Sequence, residues 1–333
     1  MKAVILLAKP GSSFHFGDYA PFGETFLDNT TTFTHSDTLF SALVNIHNQV
    51  WPEDTNAFIE QFSKGKIMLS SAMFCFRGKK KSLFFLPRPA MMKIESDTDL
   101  KELKHIEWVS TGVWEKGMIS GQQGEKPLTA AKRFSCLESE WSLLSGDDPA
   151  LLTAYEMNPV SRVKIHSRTR EDTLYQQTNI TLCGSPDVNV CYYFLAEYDE
   201  LDTAAKDRLE TVISLLPDTG LGGQRTTGCG FFEGIEWHEN PLPDVMDDSY
   251  NVNLGILSPV RELQNCLAYR VMTRGGRRTE TGQLKKILMI REGGLMNDKP
   301  RGQIADLSME GNGSFLRYGM PVSWPVSKRV INL

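Results

Sequence analysis

The segment DTAAKDRLETVISLLP, residues 202–217, runs straight into DTGLGGQRTTGCG, residues 218–230. In the first part Ala205, Leu209, Val212 and Leu216 recur at helical spacing and form one apolar stripe. Asp202 is placed to cap the start and Pro217 to stop the helix. The second part holds five glycines among residues 220–230, which let backbone approach a ligand closely and present N–H groups to an anion. A β-rich stretch at about 229–237 follows, so the order is helix, glycine-rich loop, strand. A dinucleotide fingerprint needs strand, loop, helix, and a Walker loop needs Lys-Ser/Thr where Gly228 is followed by Cys229. The remaining structural reading is a helix C-cap leading into a bulged strand.

Working outward, strands are expected at about 160–168, 173–182, 188–198 and 251–257. The first half opens with the apolar run Ala3–Ala8. A second amphipathic helix carries Leu39, Leu43, Ile46 and Val50, with Thr34 or Ser36 as cap, Asp37 in the first turn and Pro52 at the end. A short helix at 54–63, a hairpin from 66–76 and 82–86, and a further helix at 98–108 complete the N-terminal half. Residues 116–130 are polar and Gly-rich and read as an excursion. With 333 residues the chain has room for two domains, and Asp147-Asp148-Pro149 is the soft boundary. The expected fold is therefore α+β, with two ferredoxin-like (RRM-like) domains at 1–150 and 151–333.

The strand Val160–Arg170 places Arg162, Lys164, His166, Arg168 and Arg170 on one face by strict alternation. Same-face side chains repeat every ~6–7 Å, close to the phosphate spacing of a single nucleic-acid strand. The competing reading is a solvated face paired with acids on neighbouring strands. Lined-up cations repel one another unless a counter-charge is supplied, which favours a polyanion. The basic loop Arg274–Arg278 stands as a solvated turn or a further anion contact. The net charge of −5 argues against a general polycation, while leaving a local cationic groove possible.

Other chemistry finds little support. The six cysteines show no C-x-x-C pair and read as buried thiols of a reducing cytoplasm. No metal or cofactor motif is present. His35-Ser36-Asp37 carries triad residue types, but adjacent side chains cannot hydrogen-bond in series. No apolar run approaches the length of a membrane span. His166 is the histidine best placed for acid–base work on RNA, and it sustains one alternative function, a metal-independent endoribonuclease acting on precursor RNA.

Taken as an ordered set, Ser36–Leu43, Phe85-Leu86-Pro87-Arg88-Pro89, the Arg162–Arg170 row running on to Leu174-Tyr175, and Gly220–Gly230 followed by Phe231-Phe232 resemble the RAMP superfamily of CRISPR proteins. Within it, the chain resembles most closely the fourth subunit of type III-A (Csm) effector complexes, over about residues 1–240. That resemblance implies a non-catalytic scaffold, without metal or cofactor, that binds crRNA at its 5′ tag. It implies as partners a large palm-domain subunit and the backbone RAMP subunit, with target RNA met only indirectly. Carried over by position, Gly222, Gly223, Arg225, Thr226, Thr227 and the basic row should face RNA, with His35 and Ser36 as further candidates. A thumb-like hairpin at 116–134 would bring Lys132 and Arg133 near the tag.

Overall fold

The computed structural model describes residues 1–17, 29–95, 104–119, 126–165, 172–245, 248–275, 277–278, 282–283, 285–308 and 315–333. The main elements are β1 (Lys2–Leu7), α1 (Ser36–Val50), α2 (Thr55–Ser63), β2 (Met73–Arg77), β3 (Ser82–Pro87), β4 (Trp108–Ser110), β5 (Pro127–Ala130) and β6 (Phe134–Leu137). They continue with β7 (Tyr155–Ile165), β8 (Asp172–Leu182), β9 (Asn189–Glu197), α3 (Thr203–Ser214), β10 (Gly234–Glu239), β11 (Ser249–Asn253), β12 (Val271–Arg274), β13 (Ile287–Ile290) and β14 (Ser323–Ser327). The architecture is mixed α+β, dominated by one nine-stranded mixed sheet in the order β10-β1-β9-β2-β3-β4-β6-β5, with a short strand Met68–Leu69 beside β9.

Strand β1 is apolar at consecutive positions because both of its faces are covered: Ala3, Val4, Ile5 and Leu6 are all fully buried. Its neighbour β9 is the same from Val190 to Ala196. The adjacent Tyr192 and Tyr193 point to opposite faces. Tyr192 Oη donates to the Thr32 carbonyl at 2.7 Å and Tyr193 Oη to the Phe85 carbonyl at 3.0 Å. Each buried hydroxyl is thereby satisfied, which offsets the cost of removing it from water.

Elements β1, α1, β2, β9, α3 and β10 run in β-α-β-β-α-β sequence, and their strands lie in the order β10-β1-β9-β2, all antiparallel. That is a ferredoxin-like arrangement. It is assembled across the expected boundary near 150: Ile5 of the first half pairs with Tyr193 of the second. The division into 1–150 and 151–333 therefore does not separate two sheets. Between β2 and β9 the chain extends the sheet with β3 to β6, then leaves it as the long ribbon β7–β8, paired from Tyr155↔Leu182 to Ile165↔Asp172. The expected excursion is likewise part of the sheet from Pro127 onward, since Phe134 and Cys136 are fully buried in β6.

Among the described residues after Asp248 there is no α-helix. Strands β11 and β14 pair there in a four-stranded antiparallel sheet, and β12 pairs β13. This region is tied to the start of α1 by a buried ionic cluster. Asp37 is fully buried and accepts from Arg274 Nε at 2.9 Å, Arg274 Nη2 at 2.8 Å and Arg317 Nη1 at 2.8 Å. Burial opposes the Asp37 charge, but the two guanidinium groups outweigh it and bring the carboxyl pKa down to about 2. Alongside, His35 Nδ1 lies 2.7 Å from Glu292 Oε1, and Ser71 Oγ donates to the same oxygen. Arg274, expected in a solvated or anion-binding loop, is instead a buried strut.

Candidate functional site

The glycine-rich segment folds as a closed loop seated on the short strand Ser13–Phe14 and the residues just after it. Its neck is the bond from Leu221 N–H to the Gly230 carbonyl at 2.9 Å. Gly230 N–H donates to the Ser13 carbonyl at 2.9 Å, and Gly223 N–H to the His15 carbonyl at 2.8 Å. Gly220, Gly222, Gly228 and Gly230 all have positive φ, and Gln224 is left-handed at φ 59°. Two of the glycines are required by close approach as well. A Cβ on Gly222 would stand 2.6 Å from the His15 carbonyl oxygen, and one on Gly230 2.5 Å from that of Leu221. The crest Arg225–Gly228 is exposed, and Arg225 is steadied by a 3.2 Å bond from Nη1 to the Thr219 carbonyl.

The same strand carries the ribbon. Phe14 pairs with Ile180 of β8, and His15 Nδ1 donates to the Thr178 carbonyl at 2.9 Å. The loop and the ribbon therefore share one short scaffold. Phe14 also packs on Phe16 and Phe232 with ring centroids 5.6 and 5.0 Å apart, so the scaffold is anchored in the apolar core.

On the ribbon, Arg162 pairs in register with Tyr175 and Lys164 with Thr173, two positions further along the strand. Burial raises the Cys229 thiol pKa, opposed first by the Thr227 hydroxyl and then by the charge of Arg162, which lies close enough to the loop to act on it. The Arg162 Nε is buried and has no hydrogen-bond partner among the described residues. The described ladder runs to Ile165↔Asp172, and the expected continuation to 168 lies outside the described residues. His166, Arg168 and Arg170 lie outside the described residues, as does the Lys164 side chain.

The structure sets Gly222, Gly223, Arg225, Thr226 and Thr227 on one loop, with Arg162 of the ribbon close enough for its charge to act on Cys229 of that loop. It does not bring His35 and Ser36 there. Both are buried, with Ser36 Oγ accepting from Ile256 N–H at 3.2 Å and His35 engaged with Glu292. These two residues hold the start of α1 against the C-terminal strands and offer no surface to a ligand.

Lys132 and Arg133 occupy the turn between β5 and β6 and line a different feature, a cleft of about 1180 Å³. Its other walls are the end of β3 with Arg88, residues 104–108, and Tyr269, Arg270 and Arg291. Sequence reasoning did not single out Arg270 or Arg291, whose cationic partners across the cleft are remote in sequence. The described residues contain no cluster of three or more His, Cys, Asp or Glu arranged to hold a metal ion. Among them no helix is long and apolar enough to cross a membrane.

Comparison with known proteins places these features in context. The model of the CRISPR Csm4 C-terminal domain matches residues 246–326. The CRISPR system Cms protein Csm4 of Methanocaldococcus jannaschii is 27% identical over 353 aligned residues, covering 94% of this chain and 90% of that protein. The protein of the same name from Thermococcus onnurineus is 27% identical over 282 residues, covering 80% of this chain and 83% of its own length. Among solved structures, the fold matches a chain of the Csm3-Csm4 subcomplex of the type III-A CRISPR-Cas interference complex. That match has a TM-score of 0.69 at 22% identity, over 97% of this chain and 98% of the other. A chain of a Csm1-Csm4 cassette in complex with AMPPNP matches with a TM-score of 0.56 at 17% identity, over 100% and 98% of the two chains.

Proposed function

We propose, from the premise that this chain belongs to the Csm4 family of CRISPR effector subunits, that it is a non-catalytic scaffold. In this reading it holds the 5′ tag of a crRNA and joins the large palm-domain subunit to the filament of backbone subunits. The observation that carries the reading is the junction of loop and ribbon. Gly222 and Gly223 let backbone lie against His15, the loop crest presents Arg225, Thr226 and Thr227, and Arg162 brings its positive charge to the same loop. A single strand is bound through its phosphates by such cations and exposed amides, while splayed bases stack on neighbouring rings. Tyr175, opposite Arg162, is the ring in position to do this.

Relatives of this fold crystallised with Csm3 and with Csm1 support the two protein partners. In this reading the ferredoxin-like unit supplies the RNA-facing scaffold and the β-rich residues 246–326 buttress it through the Asp37 cluster. The test is to purify the assembly through this subunit and sequence the RNA it carries. Short RNAs sharing one 5′ end are expected, and an assembly free of RNA, or holding RNA with random ends, overturns the reading.

A further inference from the structure

The cleft lined by Arg88, Lys132, Arg133, Tyr269, Arg270 and Arg291 has no part in the loop–ribbon junction, and its chemistry is unbalanced. Continuing the β12–β13 ladder beyond Val271↔Ile290 sets Arg270 opposite Arg291, and the bond from Arg291 N–H to the Arg270 carbonyl at 2.8 Å fixes that register. Directly opposed like charges on one sheet face repel. Arg88 comes in from the far wall. Burial lowers its basicity first, and the Arg270 charge lowers it further.

The two carboxylates among the described lining residues are engaged. Glu107 Oε1 accepts from Arg133 Nη1 at 2.7 Å, and Glu292 is buried on His35 and Ser71. Among the described residues neither Arg270 nor Arg291 ion-pairs with a carboxylate through its side chain. Arg270 and Arg291 thus meet, with Arg88 across from them, where no carboxylate of the described residues pairs with either of the two. At about 1180 Å³ the cleft also exceeds the ~300–1,000 Å³ of ordinary small-molecule pockets, so an extended chain suits it better than a single small molecule. The Tyr269 ring, 44% exposed, stands next to the arginines. An acidic peptide would satisfy the charge but would leave that ring without a purpose. A nucleotide strand uses both.

We propose that this cleft is a second single-stranded RNA site, in which Arg270 and Arg291, with Arg88 opposite, take the sugar-phosphate backbone and Tyr269 stacks a base. The proposal rests on the reading of this chain as an RNA-binding subunit, but it concerns a separate surface. Arg270 and Arg291 are exposed, so replacing them leaves the core intact.

The experiment is ultraviolet cross-linking of the full-length chain to a single-stranded RNA containing 4-thiouridine, with the linked peptides mapped by mass spectrometry. The proposal expects links in peptides spanning 266–293 that disappear in Tyr269→Ala. It also expects Arg270→Glu combined with Arg291→Glu to weaken binding by roughly tenfold or more at low salt, and to reduce the salt slope by about 1–1.5, as for two lost phosphate contacts on a single strand. Links confined to 220–230 with unchanged affinity in the double variant overturn the second site while sparing the first, and mark the cleft as a seat for an acidic protein segment. Links confined to 266–293 overturn the loop–ribbon reading and leave the second site standing.

Discussion

Gly222 lies against His15 so closely that the Gly223 amide bonds the His15 carbonyl at 2.8 Å, while a Cβ on Gly222 would approach that same oxygen to 2.6 Å. Gly222 also sits at φ +93°, which L side chains rarely adopt. Gly222→Ala should therefore strain the backbone and lift the loop from its scaffold, costing on the order of 1–3 kcal/mol. RNA binding should fall with it. Thermal unfolding and RNA affinity measured together check this, and a variant that keeps both values refutes the seating. Gly228→Ala is the useful comparison. It has positive φ as well, but its Cβ would meet nothing within 4 Å, so only the backbone strain remains.

Arg162 offers the sharpest single-residue test of the junction. Its Nε has no partner inside the described protein, so Arg162→Ala should change stability little, within about 0.5–1 kcal/mol. Binding to single-stranded RNA should weaken, and the dependence of log affinity on log salt should flatten by about 0.7 for one lost phosphate contact. Arg162→Lys should keep the charge and restore only part of the affinity, because the fork geometry is lost. Titrations across a salt series separate these outcomes, and identical slopes for Arg162 and Ala would remove this residue from the interface.

The buried Asp37 cluster predicts a large effect on stability outside the loop–ribbon junction. Asp37→Ala strands Arg274 and Arg317, whose side chains are 7% and 11% exposed, and should cost ~3–5 kcal/mol, or roughly 5–15 °C in Tm. If unfolding is unchanged, the cluster is not what joins α1 to the C-terminal strands.

The same carboxylate sets an acid limit. Its folded pKa of about 2 lies below the ordinary value of 3.8, so its contribution is fully present above that ordinary value. The contribution drains away as pH falls through the folded value, and over this window it is worth on the order of 2–3 kcal/mol. Glu292 is also held below its ordinary value: burial opposes this, but His35 and Ser71 outweigh it. Denaturant midpoints from pH 6 down to about pH 2 should fall steadily in the parent chain. In Asp37→Asn, whose side chain does not titrate, the fall should be smaller, and an equal fall in both would place the acid sensitivity elsewhere.

The locally encoded parts of this fold were legible. Asp202 caps α3 through a 2.9 Å bond to Ala205 N–H, and Leu209, Val212 and Leu216 are fully buried as their spacing requires. In α1, Leu39, Leu43 and Ile46 are buried, but Val50 at the last turn is 42% exposed, where the stripe has rotated off the sheet. The capping residue is His35, which makes no side-chain cap bond. Long-range pairing was not legible. Nothing local in Val4 or Phe194 says that they pair across almost two hundred residues, so one interleaved sheet read as two consecutive domains. The site follows the same division. The glycines and Arg162 carry local signals, glycine clustering and strand alternation, and these do fall on a tight loop and a strand. The burial of His35 and Ser36, the pairing of Arg274 with Asp37, and the convergence of Arg88, Arg270 and Arg291 depend on contacts that only the folded chain creates.

The most direct measurement is a reconstruction of the RNA-loaded assembly by electron microscopy, read at the Arg162 guanidinium and the Gly222–Thr227 backbone. The account predicts a ribose-phosphate chain crossing both, with a phosphate oxygen within about 3 Å of Arg162, the usual hydrogen-bond range. Density showing the loop crest and the Arg162 face of the ribbon packed against a protein neighbour, with the RNA elsewhere, would contradict it.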